Sequence, residues 1–263
     1  MTADVCRVLA LSGGGSNGAW EMGVLWGFLH YGDHQSDFAY DVVTGISAGS
    51  INAIATIGWA IGDEFAATEW GSDLWNNLTN STIWKLWPEG LVQGFLNEAG
   101  AFDDNPLREY LVNVLSEFDG EFKRRISVGT VDANTGDYWL FTQNNTEFYD
   151  FAKAAASSAS IPGAFPPYVW EGKGVFIDGS TNKNIELTSM IDQCLEIVDN
   201  ESKIVADVLI CDPPEGVPEE GEIGTTIPNW LRNYQLGKAE HASNSLDYMM
   251  RAHPDVTFRY VVH

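Results

Sequence analysis

The chain has 263 residues, 44% of them apolar, enough to bury the core of a large α/β domain. Its 37 acidic and 14 basic residues leave a net charge of −23, which excludes nucleic acid as a partner, because phosphate backbones are held by clustered Lys and Arg. The same charge excludes strong adsorption to anionic membranes and leaves neutral or zwitterionic surfaces open.

Residues 5–11 are apolar apart from Arg7, the pattern of a buried strand. Gly13-Gly14-Gly15-Ser16-Asn17-Gly18 follows and opens a helix over 17–31, with Trp20, Val24, Phe28 and Tyr31 expected on one face. A second strand over 41–46 runs through Gly45-Ile46-Ser47-Ala48-Gly49 into a helix over 48–61, apolar nearly all round and so expected to be buried. Residues 63–103 differ. Trp70, Trp75, Trp84 and Trp87 lie among polar residues, and Pro88, Gly90, Gly94 and Gly100 break the periodicity, so a helix plus an irregular cap is expected. The cap tryptophans either pack over the sheet or recognise acyl chains, by forming an apolar tunnel or by dipping into a lipid interface.

Asn105-Pro106 starts a helix that reaches about Phe118. Strands at 125–132 and 137–142 are joined by Ala133-Asn134-Thr135-Gly136, a hairpin turn. An alanine-rich helix over 149–160 ends before Pro162, and the strand Val175-Phe176-Ile177 leads into Asp178-Gly179-Ser180. A helix over 187–199, a strand over 205–210, an acidic Pro/Gly loop at 213–224, a helix over about 228–251 and a strand over 257–262 complete the chain. Strands alternating with helices predict one α/β domain over 1–263: a mainly parallel sheet with helices on both faces and a cap-like insertion at about 63–103.

No apolar run reaches the ~18 residues of a membrane span, and Met1-Thr2-Ala3-Asp4 has no basic n-region. A soluble protein is expected, cytoplasmic by default, and secreted or luminal if a leader has been removed upstream. Cys6, Cys194 and Cys211 are too few and too widely spaced for a disulfide framework or a metal site. Buried free thiols are expected, with one bridged pair as the alternative.

The chemistry concentrates in the three glycine-bearing motifs. A serine hydroxyl attacks only when it is held in place and a base removes its proton. Ser47 lies where a strand turns sharply into a helix, a turn that exposes the side chain, and Gly45 and Gly49 permit it. The bare N–H groups of Gly13–Gly15, before a helix start, suit either a phosphate or a developing oxyanion. A dinucleotide site would need an acidic residue at the end of the next strand, and that strand ends in Gly45-Ile46-Ser47 instead. For the base, His241 or His253 fits the chain order of an α/β-hydrolase triad. Asp178, at a carboxyl strand end, is better placed.

Gly-Gly-Gly-x-x-Gly, Gly-x-Ser-x-Gly and Asp-Gly-x in this order resemble the patatin-like phospholipase family. The segment from Ala156 to Pro167 resembles that family's Ala-Ser-x-x-x-Pro stretch, and Asn182-Lys183-Asn184-Ile185 is similar to the family's residues after the aspartate. The resemblance covers roughly residues 5–190. It implies a three-layer α/β/α patatin-like fold and a Ser–Asp dyad with no histidine: Ser47 as nucleophile and Asp178 as proton acceptor. It also implies an oxyanion hole from Gly14, Gly15 and the N–H of Ala48, with Gly13, Gly18, Gly45, Gly49 and Gly179 completing the motifs. The implied substrate is a phospholipid or other acyl-ester lipid, with no cofactor and no catalytic metal. Asn17 stands where the family commonly has Arg or Lys, and Ser180 where it has Gly or Ala. The alternatives are an α/β-hydrolase esterase with a Ser-Asp-His triad and a catalytically silent lipid-binding or storage protein on the same fold.

Overall fold

In a computed structural model, which describes residues 4–211 and 226–263, the first apolar run is strand β1 (Cys6–Leu11). The acidic loop expected at 213–224 lies outside the described residues. After β1 come α1 (Gly18–Tyr31), β2 (Val42–Gly45), α2 (Ala48–Ile54), α3 (Glu64–Asn77), α4 (Asn80–Ile83), α5 (Leu91–Leu96) and α6 (Asn105–Ser116). Then follow β3 (Arg125–Asp132), β4 (Tyr138–Thr142), α7 (Phe151–Ser158), β5 (Tyr168–Trp170), β6 (Gly174–Asp178), α8 (Thr188–Leu195), β7 (Ile204–Leu209), α9 (Thr226–Ala252) and β8 (Thr257–Val262).

β1 is apolar on both sides because both sides are covered. Leu9 and Leu11 join Met22, Leu25, Ile54 and Phe151 in one core, while Cys6, Val8 and Ala10 join Met190, Cys194, Leu246 and Met249 in the other. Helices therefore pack on both faces of the sheet, giving three α/β/α layers. The strand order is β5-β6-β3-β2-β1-β7-β8, with β4 on β3. Strands β3, β2, β1, β7 and β8 pair in parallel, whereas β4, β5 and β6 pair antiparallel. The carboxyl ends of β1 and β2 thus lie side by side, with Leu11 opposite Gly45.

β6 enters from the opposite direction. It pairs with β3 at Thr130–Asp132, where β4 already occupies the other edge, so it lies on the β2 side of β3, beyond the end of β2. Gly45 faces Val128 and Asp178 faces Thr130, so β2 and β6 meet end to end across Gly129.

Three expectations change. The buried face of α1 is Gly18, Glu21, Met22, Leu25 and Leu29, while Trp20 and Tyr31 are exposed and Val24 and Phe28 only flank the core. Apolar residues surround this helix, so periodicity alone could not choose the face that packs on β1. The helix expected over 48–61 stops at Ile54, where the Thr56 hydroxyl donates to the Ala53 carbonyl at 2.7 Å and Phe118 packs over Gly58. Cys6 and Cys194 are not free thiols: they form a disulfide that ties β1 to α8, and Cys211 is buried and free. β5 is an addition, since its three residues are too short for a periodic signal.

Candidate active site

Ser47 is the one described non-glycine residue with positive φ (φ 52°, ψ −120°). β2 ends at Gly45 and α2 begins at Ala48, so the chain reverses over two residues. The Gly49 N–H donates to Ile46 O at 2.8 Å and Ser12 O at 3.1 Å, and a Cβ on Gly49 would lie 2.4 Å from the Leu11 carbonyl oxygen. Close packing against β1 therefore holds Ser47 in a conformation that costs an L-residue on the order of 1–3 kcal/mol. The Ser47 N–H donates to Ser158 Oγ at 2.8 Å, and Ser158 Oγ donates to Gly129 O at 2.6 Å. Ser158 lies in the Ala-Ser stretch, but nothing in the sequence assigned it this part.

The Ser47 hydroxyl donates to Asp178 Oδ2 at 2.8 Å. Both residues are buried, Asp178 completely. The other carboxylate oxygen, Oδ1, accepts from the N–H of Ser180 at 2.8 Å and from its hydroxyl. The Asp178 N–H donates to Ser160 O at 2.9 Å, and Gly179 packs against the Gly129 carbonyl. Burial pushes the Asp178 carboxyl above its ordinary value, opposed by hydrogen bonds from Ser180 and Ser47 and by the charge of Lys238. Asp178 is thus a stronger base than the unperturbed aspartate its sequence context suggests. His241 is exposed on α9, and His253 Nδ1 bonds to Glu201 Oε1 at 3.0 Å, so neither meets Asp178.

The glycine loop lies against the same turn. A Cβ on Gly13 would be 3.2 Å from Ser47 Cβ, and one on Gly18 would be 2.9 Å from Ala48 Cβ. The Gly13 N–H is taken by Asn184 O at 2.8 Å. Gly15 has φ +59°, which turns the loop over Ser47. Among the described residues, none accepts a hydrogen bond from the N–H of Gly14, Gly15 or Ala48. One of the three lies at the first position of α2, next to Ser47. The Asn17 side chain donates to Cys211 O at 3.4 Å, tying the loop to the residues after β7.

A buried polar cluster underlies both turns. Glu21 Oε1 accepts from Ser12 N–H at 2.8 Å, and Glu21 Oε2 accepts from Asn52 Nδ2 at 3.0 Å. Asn52 Nδ2 also reaches Gly18 O at 2.9 Å, and Asn52 Oδ1 accepts from Trp75 Nε1 at 2.7 Å. Ser12 and Gly18 flank the glycine loop, Asn52 follows Ala48 by one turn of α2, and Trp75 belongs to α3. The cluster thereby fixes the two donor-bearing segments to each other and to the segment above them. Sequence inspection missed Glu21 and Asn52, because polar residues in apolar helices are the only trace they leave. Burial pushes the Glu21 carboxyl up to about 8.

Ser47, Ala48, Gly15 and Ser16 open into a cavity of about 630 Å³. Its walls include Trp75, Ile83, Trp84, Leu107, Ile161 and Phe165, and among the described residues no lining side chain is charged. Of the four tryptophans in 63–103, Trp75 and Trp84 line the cavity, Trp70 packs on Trp59 and Phe118, and Trp87 donates to Gly100 O at 3.0 Å. No helix among the described residues is long and apolar enough to cross a membrane.

No curated protein matches the chain. Among solved structures, VipD from Legionella pneumophila is similar at 12% identity and a TM-score of 0.42, covering 84% of this chain and 52% of its own. The type III effector protein ExoU is similar at 16% identity and a TM-score of 0.37, covering 94% of this chain and 53% of its own. The chain therefore spans about half the length of either protein. The model of the patatin-like phospholipase family matches residues 9–191, from within β1 to within α8, which takes in both glycine turns and Asp178. By that match over most of its length, the chain belongs to the patatin-like phospholipase family.

Proposed function

We propose that the chain is a serine hydrolase that cleaves acyl esters of lipids, with Ser47 as nucleophile and Asp178 as general base. It is read as one domain whose cap is residues 63–103. The observation that carries the reading is the 2.8 Å hydrogen bond from the Ser47 hydroxyl to a fully buried carboxylate, at the foot of an apolar cavity. Ser47 Oγ attacks the ester carbonyl carbon as its proton passes to Asp178 Oδ2. The carbonyl oxygen becomes an oxyanion held by the N–H groups of Gly14, Gly15 and Ala48, where one donor is typically worth ~10²–10³ in turnover. The C–O bond to the alcohol then breaks, and the departing oxygen takes the proton back from Asp178. Water attacks the acyl-serine, giving a proton to Asp178; the bond from the acyl carbon to Ser47 Oγ then breaks as Asp178 returns that proton to Oγ, which releases the fatty acid and restores both side chains.

A largely apolar wall, uncharged among the described residues, suits an acyl chain, and the acidic surface suits substrate presented at a neutral or zwitterionic interface. No cofactor or metal enters the scheme. Neither histidine of the triad alternative contacts Asp178, and the strained Ser47 turn favours an enzyme over a silent binding protein. A fluorophosphonate reagent and a panel of lipid esters in chelator test the reading. Labelling and hydrolysis that vanish in Ser47→Ala support it. Folded protein that neither labels nor hydrolyses any ester refutes it.

A further inference from the structure

Residues 86–99 leave the body of the protein and return as a loop pinned at its base. Lys85 and Asp103 exchange two backbone hydrogen bonds of 3.0 Å, and their side chains pair at 3.3 Å. The Ala101 N–H donates to Gly163 O at 3.0 Å. Within the loop, α5 is packed inside out. Its one buried residue is Gly94, set so close to Ala101 that a Cβ would lie 2.3 Å from the Ala101 carbonyl oxygen. Its bulky residues face water: Leu91, Val92, Phe95 and Leu96 are 45, 67, 57 and 76% exposed, and Leu86 before them is 51% exposed. Scattered exposed leucines are ordinary, but this density on one anchored loop marks a surface built to be covered.

We propose that the α5 loop is the element by which the protein docks on a lipid surface with zwitterionic or uncharged headgroups, which rests on the lipid-ester reading above for its purpose. Charge selects the occupant. From Leu86 to Leu107 the chain has no Lys or Arg and carries Glu89, Glu98, Asp103 and Asp104; Lys85 and Arg108 at the two ends pair with Asp103 and Asp104, which leaves the loop the charges of Glu89 and Glu98. Anionic headgroups would be repelled. A second copy would bring two bodies of charge −23 together at acidic-rimmed loops. The loop is also continuous with the cavity. Phe102 packs on Trp84 with ring centroids 4.4 Å apart, and its N–H donates to Ala164 O at 3.0 Å, between the cavity residues Ile161 and Phe165. Lipid met by α5 therefore lies next to the wall that leads to Ser47.

The test is flotation with phosphatidylcholine vesicles, using the whole chain with Ser47→Ala so that lipid is not consumed. Its partner carries Phe95→Ser and Leu96→Ser in addition, and a second pair, Leu91→Ser with Val92→Ser, repeats the readout should the first fail to fold. Vesicle binding is expected to fall about tenfold or more in either pair. Added phosphatidylglycerol weakens binding at low salt, and turnover of a water-soluble short-chain ester, read with Ser47 intact, stays unchanged. Equal binding with and without the substitutions, no binding at all, or a dimer that the substitutions dissociate would each overturn the proposal. Vesicle binding lost in the substituted chain, in a protein that never hydrolyses ester, would uphold docking and refute the catalytic reading.

Discussion

Ser180 grips Asp178 by two donors, its backbone N–H at 2.8 Å and its hydroxyl, both on Oδ1, leaving Oδ2 to Ser47. The Gly or Ala usual at this position could supply only the N–H. Burial raises the Asp178 carboxyl, and the Ser180 hydroxyl is the largest influence opposing that rise. Ser180→Ala removes a donor that favours the ionised form, so the carboxyl moves further up. With Asp178 as the base, the acid limb of kcat/KM against pH shifts to higher pH in Ser180→Ala and does not move in His241→Ala or His253→Ala. A limb abolished by either histidine substitution would assign the base to histidine instead.

Glu21 makes stability depend on pH. Its folded carboxyl sits at about 8 against an ordinary 4.5, so the folded state holds a proton that the unfolded chain releases across that window. Its contribution is therefore full below about 4.5 and is lost as pH rises toward about 8, by at most ~5 kcal/mol. Glu21→Gln removes the dependence but has one oxygen for two donors, Ser12 N–H and Asn52 Nδ2, so it begins about 1–3 kcal/mol less stable. Thermal unfolding measured from acid to mildly alkaline pH reads both effects. A melting temperature that falls with rising pH equally in both proteins would show that Glu21 is not the group responsible.

Trp70 and Trp84 separate packing from substrate contact. Trp70 sits with Trp59 and Phe118 away from the cavity, whereas Trp84 forms its wall. Trp70→Ala should lower stability by about 3–5 kcal/mol where fully packed, less for its partial exposure, with the ratio of long-chain to short-chain ester turnover unchanged. Trp84→Ala should lower that ratio with a smaller loss of stability. Hydrolysis of an ester series by both variants, alongside urea unfolding, decides this. An unchanged ratio in Trp84→Ala would remove the wall from substrate selection.

Much of the fold was legible in the sequence where strands are buried and bounded by glycine or proline. β1, β2, the β3–β4 hairpin and β7 fall within a residue or two of the expected spans. Asp178 stood out as a base at a carboxyl strand end, but its direct pairing with Ser47 rested on the motif resemblance, because the end-to-end meeting of β2 and β6 depends on register along β3, which leaves no local pattern. Ser158, Glu21 and Asn52 were hidden for a related reason. Each serves through backbone groups far along the chain, and a buried polar side chain looks like any other until its partner is placed. The outward face of α5 escaped because six residues interrupted by a glycine have no readable period.

The Cys6–Cys194 disulfide should stabilise without touching catalysis. It closes a separation of 188 residues, for which loop-closure entropy gives about 5 kcal/mol, and measured losses run at about 2–5 kcal/mol. Cys6 begins β1, whereas Ser12 and the glycine loop follow its other end, ~17–20 Å away for a strand of this length. Cys6→Ala with Cys194→Ala should therefore lower the urea midpoint while leaving kcat of the folded protein near that of the parent. Thiol titration provides the prior check. Unreduced, denatured protein should yield one thiol, from Cys211, and native protein should react slowly, because burial pushes that thiol up and away from its reactive form. Three thiols in the denatured, unreduced sample would mean that the bond does not form, and β1 and α8 would then be held by packing alone.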